Sequence, residues 1–163
     1  LKNNIKKSWA NIDVLLKKRH DELNKLIDTC KQYMGYESGT LEKLVAAREE
    51  QAQASKNNDI AKIGASEGKL RLGIKNVLLR AEAYPELKAN NSFQQLSSAI
   101  DELETAIAAR REFYNDSVTI NNTAIESFPK NIIASIFKFK SCDLLEFGAA
   151  EKQDVNVQDL FNK

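Results

Sequence analysis

The single histidine, His20, is the first residue to weigh for catalysis, because imidazole is the side chain that changes charge near neutral pH. A general base needs an activating partner, and the adjacent Asp21 would point to a different face of a helix. His20 therefore reads as a surface residue beside an apolar seam. Carboxylates recur at helical spacing, as Glu42, Glu49 and Glu50 and again as Asp101 and Glu102. Di-iron bundles are made from such residues, but they also need Glu-x-x-His motifs on facing helices, and one histidine does not supply them. Cys30 and Cys142 stand far apart, form no CxxC and have no histidine nearby, so zinc and thioredoxin-like chemistry are unsupported. A disulfide between them sits poorly with the place of Cys30 on an apolar helix seam, and the redox compartment stays open. Gly64-Ala-Ser-Glu-Gly68 matches GxxxG in polar surroundings, which with Gly73 suggests close helix approach in a bundle. No dinucleotide fingerprint, P-loop or nucleophile elbow is present. The expectation is a protein with no catalytic residues, no metal and no cofactor.

More informative are polar residues on apolar seams. Arg19, Arg110 and Asn121 all take seam positions on long helical patterns. Antiparallel pairing that pivots near residues 34 and 92 sets Arg19 opposite about Ile107, with Arg110 one turn away. Two arginines inside a bundle need acidic partners or water. Asp13, Glu22, Asp59, Glu104 and Asp116 are the candidate partners. The bland reading is a register-setting ion-pair network, or guanidinium groups reaching for the surface. The functional reading is a contact site for an anionic group or short peptide, built from Asp13, Arg19, Arg110, Arg111, Tyr114 and Asn115.

The elements that would hold these residues are helices. The first seam, Ile5, Trp9, Ile12, Leu16, Arg19, Leu23, Leu26, Cys30 and Tyr33, alternates steps of four and three, which predicts one helix over 2–34. Thr40 is the expected N-cap of a second helix over 41–54. Ser55-Lys56-Asn57-Asn58-Asp59 breaks the phase with residues that favour turns and caps. The seam then resumes as Ile60, Ile63, Glu67, Leu70, Ile74, Val77, Ala81 and Tyr84, predicting a third helix over 60–84 closed by Pro85. A fourth runs over 92–128, from Phe93 to Phe128, and Pro129 stops it. The result is an all-α chain: a long antiparallel up-and-down four-helix bundle over 1–128, or a three-helix one if 40–84 form a single helix. Residues 129–163 follow as a C-terminal tail that packs on the bundle, with a short helix at Ile132–Phe139 and a polar, poorly ordered end from Gly148.

At 1.5 Å per residue the first and last helices are each roughly 50 Å long and the second only about 20 Å. The long pair therefore outruns its partners and exposes an apolar groove that needs a cover, either the apolar tail or a partner protein. Composition agrees with one helical domain: 163 residues, 42% hydrophobic, 29% charged, two prolines and six glycines. A net charge of +1 gives no general pull toward nucleic acid. Lysines crowd the first helix at Lys2, Lys6, Lys7, Lys17, Lys18 and Lys25, a start that suits a membrane surface or is simply a solvated face. No stretch approaches the roughly 20 apolar residues of a membrane-spanning helix. The chain opens at Leu1 already in helical phase, which suggests a removed upstream segment.

These blocks resemble the LemA family over nearly the whole chain. Ser8-Trp9-Ala10-Asn11-Ile12-Asp13 followed by Leu16-Lys17-Lys18-Arg19-His20-Asp21 is similar to its opening signature, and Thr40-Leu41-Glu42 with Ala47-Arg48 to the next block. Ala81 to Asn90, with Phe93 and Leu96, matches its most specific stretch, and Arg110-Arg111-x-x-Tyr114-Asn115 and Phe128-Pro129 complete the order. Leu23-Asn24 stands where a proline often occurs, and Leu144-Leu145-Glu146 where many members have Phe-Phe-Glu, which leaves a role for that aromatic pair unsupported here.

The resemblance implies a helical bundle after one N-terminal transmembrane anchor ending just before Leu1. It also implies no established enzymatic activity, and relatives at magnetosome membranes. An anchor of the uncleaved-signal kind would put the domain on the outer, non-cytoplasmic side, while Lys2, Lys6 and Lys7 argue the other way. The expected function is a membrane-anchored, non-enzymatic interaction or scaffold domain of the bacterial envelope. Its expected partners are envelope or membrane proteins and no nucleic acid; the alternative is the ligand-binding module at Arg19 and Arg110.

Overall fold

The computed structural model describes residues 2–35 and 39–147. Within them the chain forms α1 (Lys2–Met34), α2 (Thr40–Lys56), α3 (Ile60–Ala81), α4 (Pro85–Lys88), α5 (Asn91–Glu126) and α6 (Lys130–Ile136). No strand occurs among the described residues, so the all-α expectation holds. The sequence-expected polar end from Gly148 lies outside the described residues.

Local chemistry sets the boundaries. Gly35, in the left-handed region at φ 56°, follows the last turn of α1, where any other side chain would be strained. The cap of α2 is Gly39 at φ 63°, which has no side chain to cap with, and not Thr40, which is already helical. Asp59 caps α3 by accepting from the Lys62 amide (3.1 Å), and Asn90 caps α5 by accepting from the Phe93 amide (3.0 Å). The turn read at 55–59 is therefore real, although α2 continues to Lys56. The third helix stops at Ala81 instead of 84, because Pro85 sits at the first position of the short α4, where its missing N–H costs nothing.

α1 and α5 pair along their lengths, and α2 and α3 form a hairpin against them. At 1.5 Å per residue, α1 and α5 are about 50 Å long against roughly 25–33 Å for the hairpin helices. Ser55, near the hairpin turn, donates to Asp13 (3.3 Å), so α1 continues for about three turns beyond it.

The interior holds two apolar clusters. One gathers Leu23, Leu26, Cys30, Leu44, Leu70, Ile74, Val77, Leu87 and Ile100 around the Met34 end. The other gathers Ile5, Ile12, Leu16, Ile63, Ile107, Tyr114, Val118 and Leu145. Gly73 faces Leu44 of α2, where an added Cβ would make ordinary van der Waals contact at 3.4 Å.

Candidate functional site

The level between the two clusters is charged. Arg19 follows Leu16 and precedes Leu23, Glu67 lies between Ile63 and Leu70, and Gln51 lies between Ala47 and Ala54. Each is about one helical turn from an apolar neighbour on either side, so three helices place a polar side chain at the same height. The Arg19 guanidinium, fully buried, donates from Nη1 to Glu67 Oε1 (2.5 Å) and from Nη2 to Oε2 (2.7 Å). Gln51 donates to Oε2 (3.2 Å), and Arg71 Nε to Oε1 (3.3 Å). Arg71 Nη2 also reaches the Glu104 backbone carbonyl (3.0 Å) and so ties α3 to α5.

A planar guanidinium matched to a carboxylate in this two-pronged way is the strongest form of side-chain ion pair. Burial alone pushes the Glu67 carboxyl up, but the Arg19 charge and hydrogen bonds, with Arg71, outweigh it and hold Glu67 below the usual carboxylate range. Burial likewise disfavours the charged guanidinium of Arg19, and Glu67 more than offsets it. Glu104 goes the other way: burial raises its carboxyl, Arg19 and Arg71 oppose that, and Glu67 and Asp101 add to it.

The second arrangement lies between α3 and α5, where the tail runs back along α5 as an extended strap. Asn122 holds Cys142 by both backbone groups: Nδ2 donates to the carbonyl (3.0 Å) and Oδ1 accepts from the amide (2.9 Å). Asn115 does the same to Leu145, at 3.0 and 2.8 Å. Between them the Tyr114 hydroxyl donates to the Asp143 carbonyl (3.1 Å), and burial pushes that phenol up to about 12. Leu145 enters the second core cluster and is 1% exposed. Phe147 lies beneath two guanidinium groups, Arg111 at 3.9 Å and Arg71 at 4.6 Å from the ring centre. The strap passes so close to α3 that a Cβ on Gly64 would overlap the Glu146 carbonyl. Gly64 therefore serves approach of the tail, where the sequence suggested approach of a helix.

The six sequence-derived contact residues separate into four places. Arg111, Tyr114 and Asn115 all touch the strap. Arg19 is committed to Glu67, which was not among its five expected partners. Asp13 bonds Lys17 (2.8 Å) and Ser55 at the edge of α1 and α2. Arg110, expected to share the interior with Arg19, is exposed instead; the inward seam of α5 passes through Ile107 and Tyr114. An open cleft beside the strap, about 640 Å³, is lined by Arg111 but also by Glu112, Asp116 and Glu146, a set unfavourable to an anion.

The residues that sequence reasoning missed are Glu67 as a partner, Gln51, Arg71, Asn122 and Phe147. Glu67 carried a signal, a carboxylate alone on an apolar seam. The others carried none, because their roles depend on the strap and on inter-helix register. Among the described residues no group of three or more His, Cys, Asp or Glu side chains could hold a metal ion, and none of the helices is long and apolar enough to cross a membrane.

With this geometry in hand the comparisons decide the family. The LemA family model matches residues 8–158. The chain belongs to the LemA family. Protein LemA of Metamycoplasma hominis is 28% identical over 162 residues, covering 98% of this chain and 72% of that protein. Magnetosome proteins MamQ 1 and MamQ 2 of Paramagnetospirillum magneticum are each 28% identical over 82 residues, half of this chain and 30% of theirs. The opening signature of this LemA-family chain thus falls on α1 around Arg19, and the Arg110-Arg111-x-x-Tyr114-Asn115 block falls where α5 meets the strap.

Proposed function

We propose that this LemA-family chain is the non-enzymatic interaction domain of a bacterial envelope protein, held at the membrane by an anchor upstream of Leu1. An anchor of the uncleaved-signal kind places the domain on the outer side. The observation that carries the reading is apolar surface on a bundle whose core is already filled. Phe113 and Ile120, seven residues apart on one face of α5, are 64% and 57% exposed, and more large apolar side chains follow between Phe128 and Leu144. Exposed apolar patches such as the run between Phe128 and Leu144 mark sites of association. Arg19, Glu67, Arg71 and Gln51, by contrast, bond one another across the bundle. Relatives that bear the name magnetosome protein support an envelope role.

The test is photo-crosslinking from positions 113 and 120 in the full-length, membrane-inserted protein, read by mass spectrometry. Capture of a specific envelope protein at both positions is expected. Recovery of this protein alone, or of a different neighbour in each preparation, would count against a scaffold for other proteins.

A further inference from the structure

Where α1 begins and α5 ends, the bundle carries an apolar cap that nothing among the described residues covers. α6 turns only Ala134 inward, while Ile132, Ile133 and Ile136 stand 53%, 54% and 69% exposed. Phe128 before the helix and Phe137 after it are 80% and 67% exposed. An open groove of about 410 Å³ joins this cap to the start of α1, with Ile133 and Phe139 on one wall and Lys2 and Asn3 on the other.

Charge at this end is mostly positive, with Glu126 at the close of α5 as an exposed acidic exception. Lys130, Lys138 and Lys140 are exposed on the tail and Lys2, Lys6 and Lys7 on α1; no acidic residue occurs over 127–142 or over 2–12. Phenylalanine and isoleucine side chains amid lysines, on a short amphipathic helix, are the composition that seats in the boundary between headgroups and acyl chains. A protein partner of opposite charge would meet the lysines but leave the apolar tip without a matching depth; an anionic bilayer supplies both.

We propose that α6 and its flanking phenylalanines form a lipid-contact surface that inserts shallowly into an anionic bilayer. The lysines of the tail and of the α1 start pair there with headgroup phosphates. The inference deepens the membrane-held reading, since it names what the α6 end of that domain touches, and its test needs no anchor.

The 163-residue chain is mixed with sedimenting vesicles of phosphatidylcholine, alone or with about one-third phosphatidylglycerol, at low and high salt. Binding to the phosphatidylglycerol vesicles is expected, weakened by salt and at least tenfold weaker on phosphatidylcholine alone. Lys130→Glu, Lys138→Glu and Lys140→Glu should each weaken binding by about fivefold or more. The combined Ile132→Asn, Ile136→Asn, Phe137→Ser variant should abolish it while keeping the helical circular-dichroism signal, because these side chains are exposed. Absence of binding to either vesicle, or binding unchanged in the triple variant, overturns the proposal. So does self-association without vesicles that the triple variant removes, which would make the cap an interface between copies. Loss of vesicle binding with crosslinking from 113 and 120 intact would remove this inference and leave the scaffold reading standing.

Discussion

Asn115 and Asn122 stand seven residues apart on α5, and each grips both backbone polar groups of one tail residue, Leu145 and Cys142. Seven residues of helix rise about 10.5 Å, and three residues of extended chain span about 10 Å, so the two periods coincide. The bonds run to backbone alone, and thus fix where the strap lies without specifying its sequence. Specificity comes from Leu145 in its core pocket and Phe147 under Arg71 and Arg111.

Replacing either asparagine with alanine should therefore destabilise the fold by about 1–3 kcal/mol, the cost of leaving backbone groups unpaired in a part-buried setting. Urea denaturation measures it. Because both residues serve one segment, the double variant should lose less than the sum of the singles. Full additivity would mean that the two grips are independent.

Gly64→Ala should cost about 1–3 kcal/mol, since the added Cβ meets backbone that cannot swing aside as a side chain would. The strap must move, so proteolysis between 140 and 147 should accelerate in this variant. Ala61→Ser, exposed on the same helix, is the control and should change neither quantity.

Arg19→Met alone should destabilise by about 3–5 kcal/mol, because it leaves the Glu67 carboxylate buried without its main partner. Adding Glu67→Leu should recover most of that loss, as apolar replacements of whole buried pairs often do. Thermal unfolding of the two variants side by side decides it. If the double variant is no better than the single, Arg71 and Gln51 depend on the carboxylate as heavily as Arg19 does.

The Glu67 carboxylate, fully buried, and the half-buried Glu104 carboxylate should pull stability in opposite directions with pH. Glu67 is held low in the fold, so its contribution is present above the ordinary carboxylate range and disappears as pH falls through its folded value. Glu104 is held high, so the fold is penalised as pH rises from the ordinary range through that group's folded value. Glu104→Gln should accordingly raise the melting temperature at pH 7–8 and leave it unchanged near pH 4. An equal gain at both values would assign the effect to packing.

Native-state thiol labelling should distinguish the two cysteines. Cys30 is 0% exposed, and burial pushes its thiol up to about 12, so it should remain unlabelled at pH 8. Cys142, half-buried on the strap, should label measurably, and faster in Asn122→Ala, which frees its backbone. Rapid labelling of Cys30 would show that the core around Leu26 and Leu44 opens far more readily than its packing implies.

The helices were legible because their seams are long: nine seam positions from Ile5 to Tyr33 leave little room for another period. The outrun of α1 past the hairpin followed from lengths alone. Arg19 was visible as an anomaly, yet its partner was not, since choosing Glu67 over Asp13 or Glu104 requires the rotation of α3 about its own axis. Arg110 was misplaced inward for a related reason. The drawn seam is right at Ile107 and Tyr114, but Arg110 between them faces outward, which only the rotation of α5 against its neighbours decides. The strap left almost no trace, because irregular chain has no period and asparagines on a helix read as ordinary polar surface.

Leu145 has one more consequence, for the order of events during synthesis. The Met34-end cluster draws on residues no later than Ile100, so all of its parts have left the ribosome early. The other cluster lacks Leu145 until nearly the whole described chain has been translated, a delay of a few seconds at roughly 5–20 residues per second. During that interval Ile63, Ile107, Tyr114 and Val118 surround an unfilled slot, and the nascent chain is a half-finished bundle with one end settled. A chain truncated before the strap should therefore be the form that chaperones hold longest.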